Sequence, residues 1–161
     1  MAAKYEDTDS DSEYSDASEE EEIDIHEYVK FGTLEEVDWA LQTDRFRLLN
    51  MKQKDTGRSP LHISAIDGNL DMSALLLKRG AMIDFKDASG CTPLMLASLY
   101  GKTDQARMLL EKGANIKLKD SNCWTALHHS VSNAHEETCT MLIKRGVDLS
   151  AEESKSGRTG T

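Results

Sequence analysis

A period of 33 residues constrains the fold of this chain more than any other feature of its sequence. Three segments, which begin at Gly57, Gly90 and Cys123, align with one another without a gap. Similar residues recur at the matching positions, namely Leu61, Leu94 and Leu127; Ser59, Thr92 and Thr125; and Gly80, Gly113 and Gly146. A unit of this length cannot bury its own apolar side, so the pattern predicts units that stack in a row.

Each unit carries the local signals of two helices joined by a turn. A Ser or Thr N-cap, whose hydroxyl oxygen accepts from a backbone N–H, opens the first helix, and Pro60 and Pro93 follow it. This helix is predicted to end near Asp67, Tyr100 and Asn133. Gly68 and Gly101 then allow a tight turn, and Ala134 replaces glycine in the third unit. A second, leucine-rich helix ends at a left-handed glycine, and an extended, hairpin-like loop follows.

Two helices and a hairpin at this spacing resemble the ankyrin repeat. The family's T-P-L-H-x-A motif stands here as SPLHIS from Ser59, TPLMLA from Thr92 and TALHHS from Thr125. The resemblance implies an all-α solenoid of stacked helix–turn–helix units with hairpin-like loops. It also implies a concave groove lined by the loop tips and first helices, and a structural, hydrogen-bonding role for His62 and His128.

On this register the repeat domain spans residues 23–150. Three full repeats follow a degenerate N-terminal capping repeat, with approximate bounds 24–56 for the cap and 57–86, 87–119 and 120–150 for the repeats. In the cap, Phe31-Gly32-Thr33-Leu34 resembles the turn between helices, and a short insertion is predicted near 43–46. Residues 151–161 are either a flexible tail or the start of a truncated further repeat. If they are a tail, the third repeat serves as its own cap.

The N-terminal 22 residues differ sharply from the rest of the chain in charge. They hold ten acidic residues and one lysine, and so carry −9 of the formal net charge of −10. Because they offer little apolar surface to offset the entropy of ordering, we predict a disordered acidic tail. Thr8, Ser10 and Ser18 each precede an acid by three residues, which resembles the site pattern of casein kinase 2. A solubilising tail and a phosphorylated docking segment both remain open.

The cysteine count and the hydropathy pattern indicate the compartment. Three cysteines without regular pairs argue against a disulfide framework and favour a reducing compartment. The sequence shows neither a secretory signal nor an apolar run of about 20 residues that could span a bilayer. We therefore expect a cytoplasmic or nuclear protein, or one present in both compartments, without membrane insertion.

The sequence predicts no catalytic, cofactor, metal or nucleic-acid site. The nearby group Cys123, His128, His129, His135 and Cys139 lacks the paired spacing of a zinc site. No motif sets up an activated thiolate or a glycine-rich phosphate loop. Residues 23–161 are close to neutral, and the acidic tail would repel phosphate groups.

The predicted function is therefore non-enzymatic binding of a protein partner, as an adaptor, scaffold or regulator that is itself monomeric. Residues that vary between repeats at groove positions are the candidate contacts: Arg58, Ile66, Cys91, Leu99, Tyr100, Trp124 and Asn133. Exposed apolar clusters with polar rims are typical of protein-binding patches. These side chains could instead pack against neighbouring loops or a following repeat.

Two other functions remain open at this point. The chain could be a regulatory fragment or isoform of a larger enzyme or channel, since residues 157–159 resemble the start of another repeat. Alternatively, the acidic tail could be the binding element for basic proteins such as histones.

Overall fold

The computed structural model describes residues 23–146, and this part of the chain folds into nine helices. The helices are α1 Ile25–Phe31, α2 Leu34–Thr43, α3 Arg45–Leu48, α4 Pro60–Asp67, α5 Leu70–Arg79, α6 Pro93–Leu99, α7 Thr103–Glu111, α8 Ala126–Ser132 and α9 Glu136–Lys144. No strand occurs among these described residues, so the predicted all-α class is confirmed. Our predictions for residues 1–22 and 147–161 lie outside the described part.

The helices form two rows that run along the stack. In the first row α1, α4, α6 and α8 contact one another in that order, and in the second row α2, α5, α7 and α9 do the same. The recurring leucines lie between the layers and are buried, as in Leu61, Leu94, Leu127, Leu76, Leu109 and Leu142. Each such side chain contributes roughly 1.5–3 kcal/mol relative to an exposed one. This burial holds the repeats together.

The first helix of each repeat begins where the sequence predicts, although the cap hydroxyls act in two ways. Thr92 accepts from the backbone N–H of Met95 at 3.4 Å, as expected. Ser59 differs because its own backbone N–H donates to His62 Nδ1, which makes that nitrogen an acceptor. The Ser59 hydroxyl therefore donates to the same nitrogen at 2.8 Å. The Thr125 hydroxyl lies 2.8 Å from His128 Nδ1 in the same arrangement.

His62 links one repeat to the next, as the resemblance implies. Its Nε2–H donates to the carbonyl of Cys91 in the following loop at 3.0 Å. The side chain is fully buried, and this burial lowers the pKa of His62 despite that hydrogen bond. His62 is thus a neutral structural residue at ordinary pH.

The loops between repeats require glycine at one position because they pack on each other. Gly57 and Gly90 have φ values of 66° and 77°. A Cβ on Gly57 would lie 2.7 Å from the backbone nitrogen of Ala88, and one on Gly90 would lie 2.8 Å from that of Ser121. Cys123 takes the matching place in the third repeat with φ 63°. A further repeat stacked in the same way would meet the Cys123 side chain.

The capping repeat covers the first end of the stack with a polar outer side. Asp24, which caps α1, is exposed, as are Glu27 and Lys30 within the helix. His26 Nε2 lies 2.9 Å from the carbonyls of both Met51 and Arg58, which ties α1 to the first loop. Within the described residues no helix is long and apolar enough to cross a membrane.

Candidate functional site

The predicted contact residues fall on one side of the stack, which we call the tip face. It consists of the loop tips together with the C-terminal ends of the first-row helices, at residues 53–58, 86–91, 119–124, 66–67, 99–100 and 132–133. Arg58, Cys91 and Trp124 occupy one repeat position in the loops. Because α4, α6 and α8 contact one another in sequence, these positions follow one another along the stack.

Hydrogen bonds fix the loop tips in place. The N–H of Ala88 donates to the carbonyl of Thr56 at 3.0 Å, and the N–H of Ser121 donates to the carbonyl of Ser89 at 3.1 Å. Each loop also closes as a hairpin, since Asp120 N–H donates to the carbonyl of Trp124 at 2.9 Å. A surface held in this way loses little conformational entropy when a partner binds.

Two aromatic side chains stand out from the second and third repeats. Tyr100 is 46% exposed at the end of α6, and Trp124 is 40% exposed in the last loop. The Trp124 ring stacks on His128 with centroids 6.3 Å apart and meets the edge of His129 at 5.4 Å. Trp124 therefore has a fixed orientation while presenting apolar surface to solvent. This combination is typical of interface anchors.

Asn133 and Leu99 lie beside these aromatic residues but differ in exposure. Asn133 is exposed, and its side-chain amide donates to the carbonyl of His129 at 3.0 Å. Leu99 is half-buried and packs against the core, as Ile66 does in the first repeat. Both apolar residues leave only part of their surface available to a partner.

Arg58 and Ile66 line a cleft of about 440 Å³ between the cap and the first repeat. Lys30 and Arg58 place positive charge on its wall, while Asp67 and other acids place negative charge there. The cleft suits a segment that has both polar and apolar side chains.

Phe31 is an exposed residue of this cleft that the sequence analysis did not single out. It is 77% exposed, and Lys30 Nζ lies 5.0 Å from the centre of its ring. Phe31 directly precedes the turn residue Gly32, just as Tyr100 precedes Gly101. The residue before the turn glycine could have been compared across all repeats in the sequence. The insertion in the cap shifts its register, and this concealed the match between Phe31 and Tyr100.

The prediction that Cys91 faces a partner is wrong. Cys91 is only 6% exposed, and its Sγ lies 3.7 Å from Asp120 Oδ2 in the next loop. Side chains at this repeat position reach forward to the following loop, where Arg58 Nε likewise lies 3.8 Å from Asp87 Oδ2. Burial, with the carboxylates of Asp87 and Asp120 nearby, raises the pKa of the Cys91 thiol to about 12. At neutral pH such a thiol is almost fully protonated, which makes it a weak nucleophile.

Asp120 and His129 form a buried polar pair that the sequence analysis did not connect. His129 Nε2 lies 2.9 Å from Asp120 Oδ2, and both side chains are buried. Burial by itself raises the pKa of Asp120. Hydrogen bonds from the N–H groups of Trp124 and Asn122 and from His129 outweigh it, so the pKa is lowered. Nine residues separate the pair in sequence, and only the packing of the loop against α8 brings it together.

Comparisons with known proteins agree with this architecture. A family model described as ankyrin repeats (3 copies) matches residues 25–120, and one described as ankyrin repeat matches residues 122–153. An ankyrin repeat protein of fowlpox virus (strain NVSL) is 38% identical over 63 residues, which are 39% of this chain and 15% of the viral protein. The chain thus spans a small part of that relative's length. Since the first family model covers more than half of the chain, the protein belongs to the ankyrin-repeat family.

Proposed function

We propose that this protein is a non-enzymatic adaptor or regulator that binds a protein partner through the tip face. The observation that carries the proposal is the pair Tyr100 and Trp124, which are exposed on loops and helix ends that hydrogen bonds hold in place. Ankyrin-repeat proteins are in general protein–protein interaction modules, which fits a binding role.

The two ends of the tip face favour different parts of a partner. Trp124 and Tyr100 offer rigid apolar surface, which contributes most when it is fully desolvated at the centre of an interface. The cleft beside Arg58 and Phe31 offers both charges together with an exposed aromatic ring. A partner with an apolar knob and a flanking charged segment would use both regions.

The acidic tail would add long-range electrostatic attraction to the binding at the tip face. Residues 1–22 carry most of the net charge of the chain, so they would attract a basic partner at long range. We place the protein in the cytoplasm, the nucleus or both, and as a monomer before it binds.

A double substitution tests the proposal directly. Tyr100→Ala with Trp124→Ala should weaken partner capture by about tenfold or more, because each aromatic anchor contributes about 1–2 kcal/mol or more. The matched control is Trp39→Ala, which removes an exposed tryptophan from α2 in the second row. The control should capture the same partner as the native chain.

Helical content measured by circular dichroism accompanies each variant. Loss of capture with native helicity supports the tip face as the binding site. Unchanged capture by the double variant, or equal loss in Trp39→Ala, contradicts it.

Binding by the tail alone is the second candidate, and the concentration of charge favours it. Removal of residues 1–22 would then abolish binding to basic proteins, and raising the salt concentration would weaken binding of the intact chain steeply. Under the tip-face proposal, the shortened chain keeps most of its affinity at moderate salt.

The exposed end of the last repeat favours a further alternative, in which the chain is a regulatory part of a larger enzyme or channel. Val131 is 61% exposed, whereas Ala65 and Ser98 at the same repeat position are fully buried. An immunoblot of the endogenous protein tests this alternative. A species well above 17.9 kDa supports it, and a single species at 17.9 kDa contradicts it.

A further inference from the structure

Three potential metal ligands from different parts of the chain meet at the interface of the second and third repeats. Cys91 precedes α6, Asp120 lies in the following loop, and His129 lies in α8. Their ligand atoms all fall within 4.8 Å of one another, and all three residues are buried. Sγ of Cys91 is 3.7 Å from Asp120 Oδ2 and 3.9 Å from His129 Nε2, and the last two atoms are 2.9 Å apart.

We propose that Cys91, Asp120 and His129 bind a zinc ion through Sγ, Oδ2 and Nε2. A thiolate, an imidazole and a carboxylate together are a donor set that zinc accepts, while magnesium and calcium take oxygen ligands. This site is independent of the partner-binding function proposed above.

The distances between the donor atoms fit a tetrahedral ion with little movement. Bonds of about 2.3 Å to sulfur and about 2.0–2.1 Å to nitrogen and oxygen place the ligand atoms of a tetrahedron about 3.3–3.6 Å apart. The three observed separations lie within about 0.4 Å of that range.

The neighbouring groups position the ligands in the required orientation. Asp120 Oδ1 accepts from the N–H groups of Asn122 at 2.8 Å and Trp124 at 2.9 Å, which leaves Oδ2 directed at the other two residues. Oriented carboxylates of this kind support metal sites. In this structure the Nε2–H of His129 donates to Asp120 Oδ2 at 2.9 Å. His129 Nδ1 has no hydrogen-bond partner among the described residues, so the ring proton can move to Nδ1 and free the lone pair of Nε2 for a metal.

The preceding interface shows what the ion would replace. At the matching positions that interface has Arg58, Asp87 and Leu96, and the arginine supplies the positive charge beside the aspartate. Here a thiol stands in place of the arginine and an imidazole in place of the leucine. A divalent cation supplies the charge that the arginine supplies one repeat earlier.

Charge balance suits the buried location. On binding, the Cys91 thiol loses its proton to solvent and its sulfur bonds to Zn²⁺, while Asp120 is already ionised and His129 binds as the neutral ring. The ion and its two anionic ligands then sum to zero, which limits the cost of burying charge. A water molecule would complete the tetrahedral coordination.

Titration of the full-length chain with Zn²⁺ and with Co²⁺ tests the site. We expect one ion per chain, release of one proton per Zn²⁺ bound, and thiolate-to-cobalt charge-transfer absorption with Co²⁺. The dissociation constant for Zn²⁺ should be about 1 µM or tighter at neutral pH. Fluorescence of Trp124, followed in a Trp39→Phe background, should change with the same stoichiometry.

Conservative variants separate binding from folding. Cys91→Ser keeps the side-chain shape with a slightly smaller atom, and His129→Leu restores the residue type of Leu96 in the preceding repeat, so both should fold. Each should weaken Zn²⁺ binding by about tenfold or more. The controls Cys123→Ser and His135→Gln should bind Zn²⁺ as the native chain does.

The opposite results would overturn the site. Absence of stoichiometric Zn²⁺ binding shows that the three residues form only a hydrogen-bonded network. Binding that survives Cys91→Ser and His129→Leu but is lost in Cys123→Ser or His135→Gln places the ion elsewhere in the third repeat.

Discussion

Ala134 is one of two residues other than glycine, within the described part of the chain, that have a positive φ. Its φ is 56°, in the left-handed region, where the matching residues of the earlier repeats are Gly68 and Gly101. A side chain costs about 1–2 kcal/mol in this region, and glycine avoids that cost at the price of a more flexible unfolded chain.

We therefore predict that Ala134→Gly raises the free energy of unfolding by about 1 kcal/mol. The midpoint of urea denaturation measures the change. Ala74→Gly, on the exposed side of α5, is the control and should lower stability by about 1 kcal/mol. A destabilised Ala134→Gly variant would show that the turn is not strained.

His62 makes the stability of the stack depend on pH. Burial lowers its pKa in the folded state below the usual value of 6.5, although Asp87 acts in the opposite direction and Arg58 in the same one. At pH values below 6.5 the unfolded chain therefore binds the proton more readily than the folded chain. The free energy of unfolding decreases as the pH is lowered from 6.5 to the folded pKa, and below that pKa it no longer changes through this group. The slope is at most about 1.4 kcal/mol per pH unit for this group.

Urea denaturation between pH 7.5 and 5 measures this slope. The variant His62→Gln should be less stable at pH 7.5 and should lose less stability than the native chain as pH falls. Equal slopes in the two proteins would mean that His62 is not the group that titrates.

The burial of Cys91, which we had predicted to contact a partner, shows what a repeat period leaves undetermined. The period places Arg58, Cys91 and Trp124 at one position but does not tell which neighbour each side chain meets. In the first two cases the next loop lies against that position, through Asp87 and Asp120. Trp124 is the last of the three and remains partly exposed.

Among the secondary-structure elements, those fixed by local chemistry were the predictable ones. The starts of α4, α6 and α8 follow from a Ser or Thr cap, and proline reinforces the first two. The short helix α3 falls where the sequence predicts an insertion in the cap. A local cap marks its start, since the Asp44 side chain accepts from the N–H of Arg47 at 3.4 Å, but the 33-residue period does not include this helix.

The loops allow a matched test of how the repeats stack. Gly90 and Gly113 both have positive φ, at 77° and 98°. A Cβ on Gly90 would lie 2.8 Å from Ser121 N, whereas one on Gly113 would meet nothing within 4 Å. An alanine at either position would therefore be strained by the positive φ. Of the two, only an alanine at Gly90 would also clash with the next loop.

We predict that Gly113→Ala lowers the free energy of unfolding by about 1 kcal/mol and that Gly90→Ala lowers it by about 2 kcal/mol or more. Chemical denaturation of both variants under the same conditions measures the difference. Equal losses would show that the two loops do not pack as closely as described.

For the whole molecule, the sequence was sufficient to predict a row of stacked helical pairs. Stacking is the arrangement in which units repeated every 33 residues can bury their leucines against one another. The sequence did not reveal the cleft between cap and first repeat. Phe31 and Arg58 both line this cleft, where His26 links α1 to the carbonyl of Arg58 in the first loop. The convergence of Cys91, Asp120 and His129 is likewise a property of stacking.

Partner binding is expected on one side of the stack only. First-row helices and loop tips carry the exposed aromatic residues Tyr100 and Trp124, and second-row helices form the opposite side. Binding of a partner should therefore slow amide exchange in the first-row helices and loop tips and leave exchange in the second-row helices unchanged.

Amide hydrogen exchange of the full chain, with and without its captured partner, tests that claim most directly. The account predicts slower exchange at residues 99–101 and 121–124 and around the cleft, with unchanged exchange in α7 and α9. Slower exchange confined to α7 and α9, or to residues 1–22, would contradict it.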